Sequence, residues 1–195
     1  MDIILIRHGE SKANVDAIFG DNQSPLTDRG IEQIKVTKEN LKEFNFDRVY
    51  FSPFRRTVES LKCLDLDGIE ALPEDRIREY DFGIFTGKNY LAIEEEFPKE
   101  YREWIENPND YVIKDGESLR LVYNRVSEFL EELVERGEDA LLVTHAGVIR
   151  LAFCWVFDNI DYFFKFKVNN GSINIISIDD GFKFIKKVNY SPRLD

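Results

Sequence analysis

Histidine and cysteine are scarce in this chain of 195 residues, with two of each. Cys63 and Cys154 lie far apart and in no metal-ligand spacing, which argues against a disulfide framework or a zinc site; they read as small hydrophobes kept reduced. Long apolar runs are missing too. The longest, Leu151 to Phe157, falls far short of the roughly 20 residues that a bilayer-spanning helix needs. Basic charge is in deficit, 26 Lys and Arg against 37 Asp and Glu for a net charge of −11, and the basic residues are dispersed among carboxylates. Such a surface argues against a nucleic-acid or anionic-membrane footprint. A small anionic ligand is still compatible, because charges beyond about 8 to 10 Å are screened and a few converging arginines suffice to hold one. With no leader pattern, internal repeat or low-complexity linker in view, the expectation is one cytoplasmic α/β domain over residues 1–195.

What is present is a pair of similar stretches. Ile3-Ile4-Leu5-Ile6 reads as a strand buried on both faces that stops at Arg7-His8-Gly9, and Ala140 to Thr144 is a second apolar run that stops at His145-Ala146-Gly147. In open α/β sheets, reactive side chains gather beyond the carboxyl ends of parallel strands. Each of the two histidines therefore stands where chemistry collects, with a glycine one or two positions on.

Periodicity and caps supply the remaining elements. Residues 9 to 26 read as a loop. Thr27 caps a helix with apolar residues at Ile31, Ile34, Leu41 and Phe44, and Arg48 to Phe51 is a strand. Ser52-Pro53 reads as an N-cap followed by proline at the first helical position, opening a helix to Leu64 with Arg55 and Arg56 in its first turn. Arginines there oppose the helix dipole, a conflict that a bound anion would remove. Ile69 to Leu72 is a weak strand, and Arg76 to Gly83 is a loop or a short extended piece ending at Phe82-Gly83. Residues 89 to 107 form short helices interrupted at Pro98, within a cap segment of about 84–116. From Ser118 to Gly137 runs an amphipathic helix with Leu119, Val122, Val126, Phe129, Leu130 and Leu133 on its core face. Val148 to Phe157 is helical, and Tyr162 to Val168, Ile173 to Ile178 and Phe182 to Val188 alternate like strands, with a turn at Asp180-Gly181. The expected fold is a three-layer α/β/α sandwich, a mostly parallel central sheet with an antiparallel addition.

Six motifs in order carry a resemblance: Arg7-His8-Gly9-Glu10-Ser11 with Asn14; Ser24-Pro25-Leu26-Thr27 with Gly30; Ser52-Pro53-Phe54-Arg55-Arg56; Arg78-Glu79-Tyr80-Asp81-Phe82-Gly83; Gly116-Glu117-Ser118; and Thr144-His145-Ala146-Gly147-Val148-Ile149-Arg150. Together they resemble the histidine phosphatase (phosphoglycerate mutase-like) superfamily over nearly the whole chain. The resemblance implies that His8 is the nucleophile and takes the phosphoryl group, while Arg7, Arg56 and His145 compensate its charge and Glu79 is the proton donor. Asn14, Gly20 and Ala146 complete the substrate-binding set it implies. Counting from Ser52, Arg56 rather than Arg55 matches the family arginine, although a helix starting one residue differently would swap them. Thr57 stands where alanine is usual, Phe85 where tryptophan is frequent, and Asp115 replaces a small residue or proline. Glu10 and Glu117 read as hydrogen-bond partners, Arg150 as a helix residue in a salt bridge, and Trp104, Tyr101 and Phe97 as core or substrate-side aromatics.

Three outcomes follow within the family: a phosphatase, a cofactor-dependent phosphoglycerate mutase, or a phosphate-binding module without turnover. The stretch between Gly83 and Gly116 is short and the tail Ser191 to Asp195 is scarcely basic, unlike the longer insertion and basic tail that keep water from mutase phosphoenzymes. The expectation is therefore a metal-independent phosphomonoesterase without a cofactor, most similar to α-ribazole phosphatase-type bacterial members. Its partner would be a small-molecule phosphate ester, with the oligomeric state, a homodimer included, left open.

Overall fold

A computed structural model describes residues 1–66 and 68–190, so the tail on which part of the water-access expectation rests lies outside the described residues. Six strands form one sheet: β1 (Asp2–Arg7), β2 (Arg48–Phe51), β3 (Ala71–Pro73), β4 (Ala140–Thr144), β5 (Ile173–Asp179) and β6 (Phe182–Tyr190). Their order is β3-β2-β4-β1-β5-β6. β1 to β4 are mutually parallel, whereas β5 runs antiparallel to β1 and β6 antiparallel to β5. The register places Arg7 opposite Thr144, so β1 and β4 end side by side and deliver His8 and His145 to the same edge.

Alternation along β1 divides the core into two layers. Ile3 and Leu5 pack with Phe129 and Leu130 of α6 (Leu119–Arg136) and Phe153 of α7 (Ala146–Val156). Ile4 and Ile6 pack on the other face with Ile34 and Leu41 of α2 (Asp28–Leu41) and Leu64 of α3 (Arg55–Leu64). Each such side chain contributes about 1.5–3 kcal/mol by leaving water. The three-layer α/β/α reading holds, and these two core layers clamp the strand ends that carry the histidines. The remaining helices are α1 (Lys12–Val15), α4 (Tyr90–Glu96) and α5 (Pro98–Glu106). No helix among the described residues is long and apolar enough to cross a membrane.

Several local expectations need correction. Tyr162 to Val168 is not a strand: Ile160–Lys165 is a 3-10 helix, opened by the Asn159 side chain accepting from the Asp161 N–H. Ile160 and Phe163, three apart, bury on its inner side, a spacing that alternation of aromatic and basic residues had masked. The helix after β2 starts at Arg55 with Phe54 at its cap, not at Pro53, and the Ser52 hydroxyl lies 2.7 Å from His145 Nε2. Loop 9–26 contains α1, and β3 starts at Ala71 rather than Ile69. Thr27 caps as expected, accepting from the Gly30 N–H, and the helix expected from Ser118 to Gly137 runs Leu119–Arg136, with the Ser118 hydroxyl accepting from the Leu121 N–H and Gly137 left-handed at φ 66°.

Candidate active site

The ends of β1 and β4 open onto a cavity of about 410 Å³. Its polar end is lined by Arg7, His8, Asn14, Gly20, Arg56, Glu79, Ala146 and Arg150. Three guanidinium groups face one carboxylate there, in a chain whose net charge is strongly negative. A cationic end of this kind is matched to an anion with several oxygens.

His8 is almost fully buried, and its Nδ1 lies 2.6 Å from the carbonyl oxygen of Gly9. A carbonyl only accepts, so Nδ1 carries the proton and the lone pair resides on Nε2. Arg56 Nε donates to that Nε2 at 3.3 Å. Burial, and then the charges of Arg56 and Arg7, push the His8 pKa well below its ordinary value of 6.5. The imidazole is thus neutral at physiological pH, with an unprotonated Nε2 at the cavity wall. Gly9 is required here for space: a Cβ on it would strike the backbone of Gly30 at the start of α2.

The arginines are held by main chain. Arg7 Nη1 donates to Val168 O at 2.6 Å, and Arg56 Nη1 donates to Asp21 O at 2.6 Å. Burial draws the Arg7 pKa down to about 10, Arg150 and Arg56 adding to the effect and Glu79 opposing it, so the group stays charged at neutral pH. Arg55 turns outward and pairs with Glu59 at 2.7 Å, which separates it from buried Arg56. The buried Thr57 hydroxyl donates to Ser52 O and Phe54 O at 2.7 and 2.5 Å, tightening the turn that presents Arg56.

His145 is fully buried behind His8, with ring centroids 5.3 Å apart, and is not a wall residue of the cavity. Its Nε2 lies 2.7 Å from Ser52 Oγ, while its Nδ1 is buried without a partner. Burial, then Arg56 and His8, push its pKa well below 6.5 as well. Arg7 Nε and Arg150 Nε are also buried and unpartnered. Buried polar atoms are ordinarily satisfied, so the unmet Arg7 and Arg150 nitrogens on the cavity wall mark a place where a ligand supplies the partners.

Glu79 accepts from the Tyr80 N–H at 3.1 Å and from the Gly147 N–H at 3.3 Å, which sets its carboxylate at the N-terminus of α7. A Cβ at Gly147 would collide with Glu79 Oε1. Asn14 Oδ1 accepts from the Ser11 N–H, the Ser11 hydroxyl and Asn170 Nδ2, leaving its own amide nitrogen for the cavity. Asn170 escaped the sequence reading because it follows the misassigned strand. Among the described residues, no three His, Cys, Asp or Glu side chains gather as around a metal ion.

The family model of the histidine phosphatase superfamily (branch 1) matches residues 3–191. The chain belongs to the histidine phosphatase superfamily. It is 32% identical to phosphoserine phosphatase 1 of Hydrogenobacter thermophilus over 98% of this chain and 93% of that protein. It is also 28% identical to the adenosylcobalamin/α-ribazole phosphatase of Escherichia coli (strain K12), over 97% of this chain and 96% of the relative. Among solved structures, the α-ribazole phosphatase of Shigella flexneri superposes with a TM-score of 0.90 at 27% identity, covering 97% of this chain and 96% of that one. This histidine phosphatase is an enzyme, a hydrolase of phosphoric monoesters.

The opposite end of the cavity differs in character. Phe19, Phe82, Tyr90, Trp104, Ile105 and Phe164 line it, with Phe19 stacked on Phe82 at 4.1 Å and Tyr90 on Trp104 at 5.7 Å. Trp104 is buried and on the wall, whereas Phe97 and Tyr101 pack on the core behind it. Phe85, the residue in place of tryptophan, is fully buried 5.4 Å from Trp104 and supports the same wall. Asp115 adopts φ 60° in the turn before Gly116. Arg150 departs from its expected role: it makes no salt bridge among the described residues, lies 5.5 Å from the Phe163 ring, and lines the cavity.

Proposed function

We propose that this phosphatase hydrolyses small phosphate monoesters whose leaving group carries a flat apolar body, with α-ribazole 5′-phosphate as the candidate. The observation that carries this reading is the aromatic wall facing the cationic end of one cavity. Aromatic faces contribute about 0.5–1.5 kcal/mol beyond the area they bury when they stack. The full-length likeness to α-ribazole phosphatases supports the same substrate.

The chemistry proceeds in two displacements without a metal. His8 Nε2 attacks phosphorus, and the bond to the ester oxygen breaks; Arg7 and Arg56 hold the equatorial oxygens, and Asn14 adds a neutral donor. His145, its ring 5.3 Å from that of His8 and off the cavity wall, backs the nucleophile from behind. Glu79 gives its proton to the departing alkoxide. Water then attacks the phosphohistidine, Glu79 takes a proton from it, and phosphate leaves as the His8 lone pair is restored. The stretch between Gly83 and Gly116 leaves the mouth open, with Tyr90, Ile105 and Phe164 half or more exposed at the rim, so water reaches the phosphoenzyme. That favours hydrolysis over the mutase alternative.

A second reading has its own support. Arg150 lines the cavity with no salt bridge to a carboxylate among the described residues, which suits a leaving group bearing a carboxylate, and one relative is a phosphoserine phosphatase. A panel of α-ribazole 5′-phosphate, phosphoserine, 3-phosphoglycerate and p-nitrophenyl phosphate separates the readings by kcat/KM for phosphate release. Preference for the first supports the aromatic-wall reading, preference for phosphoserine replaces it, and phosphate moved between glycerate hydroxyls without release revives the mutase.

A further inference from the structure

Glu79 belongs to residues 78–82, which form neither helix nor strand, yet a proton donor must be held to within a fraction of an ångström. What fixes this segment comes from behind. Arg125, on the second turn of α6, uses all five guanidinium N–H groups. Nε and Nη2 donate to the two carboxylate oxygens of Glu117 at 2.9 Å each. Nη1 donates to Arg76 O at 2.7 Å and to Arg78 O at 2.8 Å, and Nη2 also donates to Glu79 O at 3.2 Å. Glu117 completes the brace by accepting from the Asp81 N–H at 3.1 Å, while its own N–H donates to Asp81 O at 2.9 Å. Both side chains are largely shielded, with 15% and 20% of their surface exposed. Burial alone would raise the Glu117 pKa, but the hydrogen bonds and charge of Arg125 outweigh it and hold the carboxylate ionised.

We infer that Arg125, braced by Glu117, is a positioning residue for proton transfer to the leaving group, acting by fixing the main chain of Glu79. It never faces the cavity and touches no substrate. The inference rests on the reading of Glu79 as the proton donor. Lysine cannot replace it: a single ammonium has three donors and no planar fork, so it cannot meet one carboxylate in bidentate fashion and three carbonyls together.

The test exploits the leaving group. Phenyl and p-nitrophenyl phosphate are similar in shape, but nitrophenolate departs readily without a proton and phenolate gains from one. kcat/KM, which reports the transfer to His8, is measured for both esters in Arg125→Lys, Glu117→Gln and Glu79→Gln. General acid catalysis contributes about 10²–10⁴-fold, so Glu79→Gln should lose roughly 100-fold on phenyl phosphate and far less on the nitrophenyl ester. Arg125→Lys should show the same selectivity at about 10-fold, with Glu117→Gln weaker in the same direction. Retained nitrophenyl phosphate turnover shows that each variant is folded. Equal losses on both esters in Arg125→Lys and Glu117→Gln, alongside selective loss in Glu79→Gln, overturn the positioning role. Absence of selectivity in Glu79→Gln overturns the proton-donor reading, and the inference falls with it.

Discussion

The two ends of the cavity are built by opposite rules. At the phosphate end, groups are fixed by backbone carbonyls: His8 by Gly9, Arg7 by Val168, Arg56 by Asp21. At the other end, the rings of Phe19, Phe82, Tyr90 and Trp104 pack on one another. Hydrogen bonds to the main chain specify angle and distance, whereas ring packing specifies shape alone. On the proposed function, the first end serves phosphoryl transfer and the second selects the ester. Substitutions at the two ends should separate accordingly, kcat from KM.

The largest effect belongs to the nucleophile. His8→Ala should reduce phosphate release from every ester by at least about 10⁴-fold, as loss of a nucleophile does elsewhere, without lowering the melting temperature. Full activity in that variant would remove His8 from the mechanism. Next comes Arg56→Lys, which loses the fork but keeps the charge; kcat should fall by about 10²–10³-fold alike on aromatic and aliphatic esters. A loss confined to aromatic esters would erase the boundary between the two ends.

The histidines also tie the phosphate end to stability. Both have folded-state pKa values depressed below 6.5, so below that pH the unfolded chain binds more protons than the folded one. Stability is therefore highest above pH 6.5 and declines as pH falls, by about 1.4 kcal/mol per pH unit for each histidine that stays neutral. Urea titrations from pH 7 to 5 measure the slope, and a flat profile would contradict the burial account. At the apolar end, Phe164 is 66% exposed. Phe164→Ala should raise KM for α-ribazole phosphate by about 2- to 10-fold, equivalent to one ring contact, with kcat unchanged. A kcat effect instead would mean that the wall shapes the chemistry. Smallest of all, incubation with EDTA should leave activity unchanged, and a loss restored by zinc would require a metal.

This contrast also governs what could be read from the sequence. Strands that end in histidine, the Thr27 cap, the helix beginning at Ser118 and the Arg55/Arg56 distinction were legible because each depends on local spacing or on motif order. The Tyr162 to Val168 strand was misread because Phe163 serves both alternation and a three-residue repeat, and only the neighbouring core decides between them. The role of Arg125 and that of Asn170 were not legible, since the carbonyl of Glu79 that Arg125 holds and the Asn14 that Asn170 meets lie 46 and 156 residues away in the chain. Arg150 looked like an ordinary helical cation and lines the cavity because α7 starts at the strand end.

The central claim is that phosphate passes through His8. Rapid quenching of enzyme mixed with p-nitrophenyl phosphate, followed by peptide mapping under alkaline conditions, tests it most directly. The account predicts one phosphoryl group on the peptide containing His8, labile in acid, formed within a turnover and absent from His8→Ala. A phosphoryl group on another residue, or steady turnover with none on the protein under conditions that preserve phosphohistidine, would contradict it.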